Sequence, residues 1–201
     1  MNWKSYAFFG IIAIVFIAGV FNDDGKKGDL APTDIDLNRL LDVSMQSINR
    51  FEGKMSLAKD SLDGDSAFLM FAEQYSTDLN ALQPPIHKKT LGVQPNNDAS
   101  LLGYEDLNAN GELDDGEDGI FLLEIDGQNS RIIATAASGA RYDSSVPPGT
   151  GFLAGYLIGS MLDRQRAFGN PSAVASKTRQ TASQARSARS RAGSGSHSLG
   201  K

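Results

Sequence analysis

Twelve residues, Asp106 to Glu117 (DLNANGELDDGE), combine residue types and spacing that spell out a specific chemistry. Asp106, Asn108 and Asn110 alternate along the chain, Gly111 follows at once, and Asp114 and Glu117 close the stretch. Every defined position of the pattern D-x-[DN]-x-[DN]-G-x5-E is matched. A hard cation takes about six to eight oxygen ligands at ~2.3–2.6 Å. Alternate side chains of a tight loop converge on one point, and the glycine lets the chain turn sharply. Glu112 would contribute its backbone carbonyl, Asp114 a carboxylate oxygen directly or through water, and Glu117 both oxygens of its carboxylate. Glu105, Asp106, Glu112, Asp114, Asp115, Glu117 and Asp118 crowd one window with no base among them. The expected guest is Ca2+. The two asparagines lower the ligand charge, which sets the expected affinity at the weak extracellular end, on the order of 10⁻⁴ M or weaker.

The loop resembles the calcium loops of EF-hand and dockerin modules. In its wider setting, GYEDLNANGELDDGEDGIF, it is similar to the D-x-N-x-N-G-x-x-D-x-x-E segments of bacterial surface-adhesin repeats. The resemblance covers the loop and its edges, so it implies a calcium site and not a family for the whole chain. EF-hands continue into a helix after the glutamate. Here Asp118-Gly119 leads into IFLLEID, a run of strand formers, which predicts a calcium loop feeding a sheet.

Other chemistries lack their residues. The chain has no cysteine, which removes disulfides, thiolate metal sites and cysteine nucleophiles. Its two histidines are His87 and His197, and His87 in PPIHKKT reads as an exposed connector residue. No serine sits in a nucleophile elbow, and no glycine-rich loop carries the lysine of a P-loop. The acids near Asp106 have no base or nucleophile beside them, which argues against a hydrolase. The expectation is a protein that is not an enzyme.

The elements that must position the loop read as α+β. Ile120–Asp126, a turn at Gly127-Gln128-Asn129 and Ser130–Ala136 form a β-hairpin, so loop and hairpin occupy residues 100–137. Upstream, Leu37, Leu40, Leu41, Ser44, Ile48, Phe51 and Met55 fall at helical spacing, with Thr33 and Asp36 at the start. A break at Leu62-Asp63-Gly64-Asp65 is followed by a second stripe of Phe68, Leu69, Phe71, Ala72, Tyr75, Leu79 and Leu82, with Ser66 as its cap. Two such stripes predict a helical hairpin over 33–83, inside a body spanning 33–146.

Both flanks point to a membrane. Ala7–Phe21 is fifteen residues without a charge, with Trp3 and Tyr6 before it. Seventeen residues from Tyr6 make about 25 Å of helix, near the lower limit for a span. Residues 1–22 therefore read as a retained transmembrane anchor and 23–32 as a polar linker. A second apolar stretch, Gly149–Leu162 in segment 147–163, repeats Gly151, Gly155 and Gly159 every four residues, as helix-packing membrane motifs do. It reads as a short membrane helix, an interfacial segment or a helix packed in the body. The basic tail 164–201 favours the first, with the N-terminus inside, the body outside and the tail inside. Up to Asp163 the chain holds 11 Lys and Arg against 24 Asp and Glu, whereas from Arg164 it holds eight bases and no acid. The tail has no sustained apolar period and reads as disordered, suited to anionic lipid or an acidic protein surface. Its lack of aromatics after Phe168 argues against specific nucleic-acid binding. Together these readings predict an accessory or structural subunit of a bacterial envelope complex. It would lie in the cell membrane with its acidic body extracytoplasmic, and its neighbours would be lipid and other subunits or copies of itself. The alternative is a homo-oligomeric pore assembled through the glycine repeat.

Overall fold

The structure, a computed structural model, describes residues 35–57, 63–146 and 155–193. The apolar run Ala7–Phe21, the linker, Thr33 and Gly151 lie outside them, so the readings made there stand as expectations.

The first apolar stripe is helix α1, Leu37–Leu57, and the second is α2, Gly64–Asn80. Both caps differ in detail from the sequence reading. The Asp36 carboxylate accepts from the amides of Asn38 and Arg39 at the start of α1. Asp63, not Ser66, caps α2: its carboxylate takes the Asp65 and Ser66 amides and the Ser66 hydroxyl. An ionised oxygen at a helix N-terminus outcompetes a hydroxyl three residues later, because it also meets the positive end of the helix dipole. The two helices lie antiparallel, fixed by Arg50 on Asp78 and by Lys54 on Gln74.

Five strands then form an antiparallel meander in chain order: β1 Leu91–Pro95, β2 Leu101–Glu105, β3 Gly119–Asp126, β4 Arg131–Ala136 and β5 Arg141–Ser145. The α+β class holds, and the expected hairpin is β3–β4. Strands β1, β2 and β5 were not expected from the sequence. The near face of the sheet carries Leu101, Phe121, Leu123, Ile125, Ile132 and Ala134 into a core shared with α1 and α2. A run of rings ties the layers: Phe51 to Phe71 at 5.5 Å, Phe71 to Tyr75 at 5.7 Å and Tyr75 to Phe121 at 6.4 Å. The far face carries Leu102, Tyr104, Leu122, Glu124 and Ile133, all buried.

Of the three readings of the second apolar stretch, its described part follows the third: helix α3, Tyr156–Phe168, packs in the body. Leu157, Ile158 and Met161 are core residues, and Gln165 donates to the Ile125 carbonyl at 3.0 Å. Among the described residues, no helix is long and apolar enough to cross a membrane. Helix α3 also runs past the apolar window through Asp163, Arg164 and Arg166, making it an ordinary amphipathic element whose apolar side packs on α2 and α1 and on β3 of the sheet. Of the glycine repeat, Gly155 is the cap residue of α3, and a Cβ there would stand 2.4 Å from a Glu52 oxygen. The Glu52 carboxylate accepts from the amides of Tyr156 (2.9 Å) and Ile158 (3.2 Å), so a side chain of α1 caps α3 from outside. Gly159 has nothing within 4 Å of a would-be Cβ, so it mediates no close approach among the described residues.

The tail is ordered through residue 193 rather than disordered. It forms α4, Pro171–Ala175, and α5, Ala182–Gly193, and it crosses the far face of the sheet. Lys177 pairs with both oxygens of the buried Glu124. Arg131 donates to the Ala175 and Lys177 carbonyls, and Arg141 and Gln180 exchange backbone hydrogen bonds at 2.7 and 2.8 Å. Arg179 stacks on Tyr142 at 4.2 Å, and Val174 and Ala185 are buried. Composition predicts disorder because it sees no apolar period; the partners that order the tail are side chains of the sheet.

Candidate metal centre

The loop Asp106–Glu117 leaves the sheet between β2 and β3, so its two ends are fixed by neighbouring strands. Glu105 N–H donates to the Asp118 carbonyl (3.0 Å) and Asp106 N–H to the Thr90 carbonyl (3.0 Å). Inside that neck, the first and last acids of the motif are buried, Asp106 at 6% and Glu117 at 7% exposure. Asp106 accepts from the amides of Asn110 (3.1 Å) and Gly111 (2.9 Å). Glu117 reaches back across the loop, accepting from Leu107 N–H (2.8 Å) and Asp114 N–H (3.0 Å). Gly111 makes the sharp turn at φ +74°, a left-handed conformation that glycine adopts without steric cost.

The middle of the loop is more open. The side-chain amides of Asn108 and Asn110 both donate to the same Asp114 oxygen, at 2.8 and 2.9 Å. Their carbonyl oxygens accept from the amides of Asn110 and Glu112. Asp106, Asn108, Asn110, Asp114 and Glu117 are thus brought into one hydrogen-bonded loop. Glu112 takes part through its backbone and projects its side chain to solvent.

Among the described residues, no group of three or more His, Asp or Glu side chains is gathered as a metal cluster. The fit to a cation therefore rests on donor chemistry and chain path. All the side-chain donors are oxygens, as calcium requires, and the loop wraps so that its last carboxylate meets its first turn. A cation at the centre must take Asp114 from the two asparagine amides, which then turn their carbonyl oxygens inward. Asp106, Asn108, Asn110, Asp114 and Glu117 would hold it, with the Glu112 carbonyl completing the set.

Residues beneath the loop escaped sequence reading. Tyr104, the last far-face residue of β2, lies over Gly92 of β1, where a Cβ would stand 2.2 Å from its ring. Its hydroxyl is buried and has no hydrogen-bond partner among the described residues. Burial, and then the negative charge of Asp106, Glu117, Asp114 and Glu112, pushes its pKa well above the ordinary phenol range. The tyrosine stays neutral beside the acids, and only its pairing with a glycine across the strands hinted at its place. His87 also differs from expectation. Its side chain is 6% exposed and lies 3.5 Å from Glu105, which Lys89 also pairs. The connector folds back on the neck of the loop, where the buried Glu105 carboxylate takes the Lys89 ammonium and the His87 imidazole as partners.

No protein-family model matches the chain, and no curated protein or solved structure is detectably similar to it.

Proposed function

We propose that the chain is a calcium-binding, non-enzymatic accessory or structural subunit of a bacterial envelope complex, held at a membrane by residues 1–22. The observation that carries the calcium reading is the closure of the Asp106–Glu117 loop: its first and last carboxylates are buried together at a neck pinned by two strands. Loop ends fixed by a sheet reduce the ordering that a cation must impose, which favours binding at the concentrations found outside cells. In this role the ion ties β2 to β3 and stiffens the body.

The pore reading finds less support. The side chains of α3 that would face lipid or a copy of the helix, Leu157, Ile158 and Met161, are buried in the body.

Calorimetry on the full chain in mild detergent tests the calcium reading. Heat of binding at submillimolar to millimolar calcium is expected, abolished in Asp106→Ala and Glu117→Ala. No heat at these concentrations, or binding unaltered in both variants, refutes it. Carbonate washing of native membranes tests the anchor: retention in the pellet is expected, and release refutes it. Mild-detergent purification from those membranes then reads the assembly. Unlike neighbours support the accessory role, and a discrete homo-oligomer supports the pore.

A further inference from the structure

Three features of the molecule lie at one end of the sheet. The acidic loop leaves that end between β2 and β3. The turn from β4 to β5 is at the same end, and α5 sits against it: a Cβ on Gly139 would meet Ala185 at 2.9 Å and the Arg189 guanidinium at 3.1 Å. The first turn of α1 points there too. Glu52, late in α1, touches α3, and α3 lies at the opposite end, where Leu162 covers Gly127 and Gln165 holds Ile125. Fifteen residues back from Glu52 is about 22 Å of helix, roughly the length of the sheet. Ile35, the first described residue, is a core residue on the loop end, fourteen positions after Phe21, where the apolar run closes.

The surface of α5 at that end is basic. Arg186 and Arg189 make no ion pair among the described residues, and both are exposed. Arg189 lies on the side of α5 that holds Ala185 against the β4–β5 turn, while the other face lines an open groove of about 360 Å³ with Arg179, Gln180, Ser183, Gln184, Ser187 and Arg191, and Arg186 flanks it. Thr181 and Gln184 cap the helix reciprocally, Gln184 N–H on the Thr181 hydroxyl and Thr181 N–H on the Gln184 side chain, so the guanidinium groups stand on a formed helix. Guanidinium forks with hydroxyl and amide donors between them match phosphate oxygens.

We propose that this end of the body docks on a bilayer of anionic lipid, with Arg186 and the groove along α5 receiving headgroup phosphates. The proposal rests on the membrane-anchor reading, since Ile35, close in sequence to the expected anchor, lies at the same end as α5. The acidic loop shares this end and repels anionic headgroups until calcium fills it, so docking strengthens with calcium.

The chain has no cysteine, so a Ser187→Cys variant of the full chain takes a single environment-sensitive dye. It is reconstituted into vesicles of phosphatidylcholine alone or with added phosphatidylglycerol. Expected is a blue shift of the dye in the anionic vesicles, greater with calcium and reversed by molar salt. Removing charge with Arg186→Ala should lower the ratio of docked to undocked helix about fivefold. If the chain floats with both vesicles and the dye does not distinguish them, the docking proposal is overturned and the anchor stands. If the chain floats with neither, the anchor reading fails and takes the proposal with it. A shift produced by a short DNA duplex and not by anionic vesicles assigns the groove to nucleic acid, against the proposal.

Discussion

Substituting Asn110 by Asp tests the central part of the loop. The Asn110 amide donates to Asp114 at 2.9 Å, and both residues are exposed. Asn110→Asp removes that hydrogen bond, worth about 0.5–1 kcal/mol. It also sets two carboxylates ~4 Å apart, which repel by about 1 kcal/mol at the dielectric of water. In chelator the variant should therefore be about 1.5–2 kcal/mol less stable, a fall of about 3–8 °C in Tm at ~2–4 °C per kcal/mol. With calcium the gap nearly closes. At a concentration of 100 times Kd, binding stabilises the wild type by about 2.7 kcal/mol, or roughly 5–10 °C. A further carboxylate at this position should tighten binding about tenfold, adding about 1.4 kcal/mol to that gain at the same calcium concentration. Melting curves of the full chain in chelator and in a calcium series read both effects, and calorimetry gives Kd. An unchanged Tm in chelator, together with an equal calcium response in both proteins, would refute the reasoning: the amides would not be holding Asp114, and this position would not face the ion.

Further perturbations separate the roles described above. Glu52→Ala strips two amides at the start of α3 of their acceptor and should cost about 1–2 kcal/mol in urea unfolding, with Glu52→Gln recovering part. Gly155→Ala should destabilise by driving a methyl into Glu52, whereas Gly159→Ala, in open space within a helix, should stabilise by about 0.5–1 kcal/mol; a loss of stability at Gly159 would restore the zipper. Lys177→Ala leaves the buried Glu124 without its charge partner and should cost about 2–3 kcal/mol, with faster amide exchange in β3, less than a fully buried pair because Lys177 remains part-exposed. Burial works against the charge of Asp126, but hydrogen bonds from Asn129 and Arg131 outweigh it and hold the carboxyl below its ordinary range. Its stabilisation is complete above the unfolded value near 3.9 and is lost as pH falls through the folded one, so Asp126→Asn should flatten the acid limb of stability below about pH 4.

Local information made the helical hairpin, the loop and the β3–β4 hairpin legible. Leu37 to Met55 and Phe68 to Leu79 keep a helical period, and IFLLEID followed by RIIATA is dense in strand formers. The other strands carry weak signals for physical reasons. Strand β1 contains Gly92 and ends at Pro95, while Gly103 in β2 leaves room for the Phe121 ring. Strand β5, RYDSS, has one aromatic among polar residues because it is an edge whose side chains pair with Arg131, Thr135 and Arg179. Gly149–Leu162 leaves three readings open because an apolar window does not reveal whether lipid or the body's own helices face it. The order of the tail depends on Glu124, Arg131 and Tyr142, which are 37 to 53 residues away from the groups they hold. In the loop, the motif residues share one hydrogen-bonded turn without their carboxylates gathering as a metal cluster, whereas His87 and Tyr104 take their places from strand pairing that no local pattern encodes.

The crossing of the sheet by residues 174–185 sets an order on biosynthesis. Strands β1 to β5 are complete once Ser145 has left the ribosome, yet Glu124 still awaits Lys177, and Arg141 still awaits Gln180. During that interval one side of the nascent domain is greasy and carries an uncompensated carboxylate, which makes it a substrate for holding chaperones. Ribosome-bound chains stalled shortly after β5 should therefore be more protease-sensitive than chains stalled after α5 has emerged, and the step that closes the molecule comes from its most polar stretch.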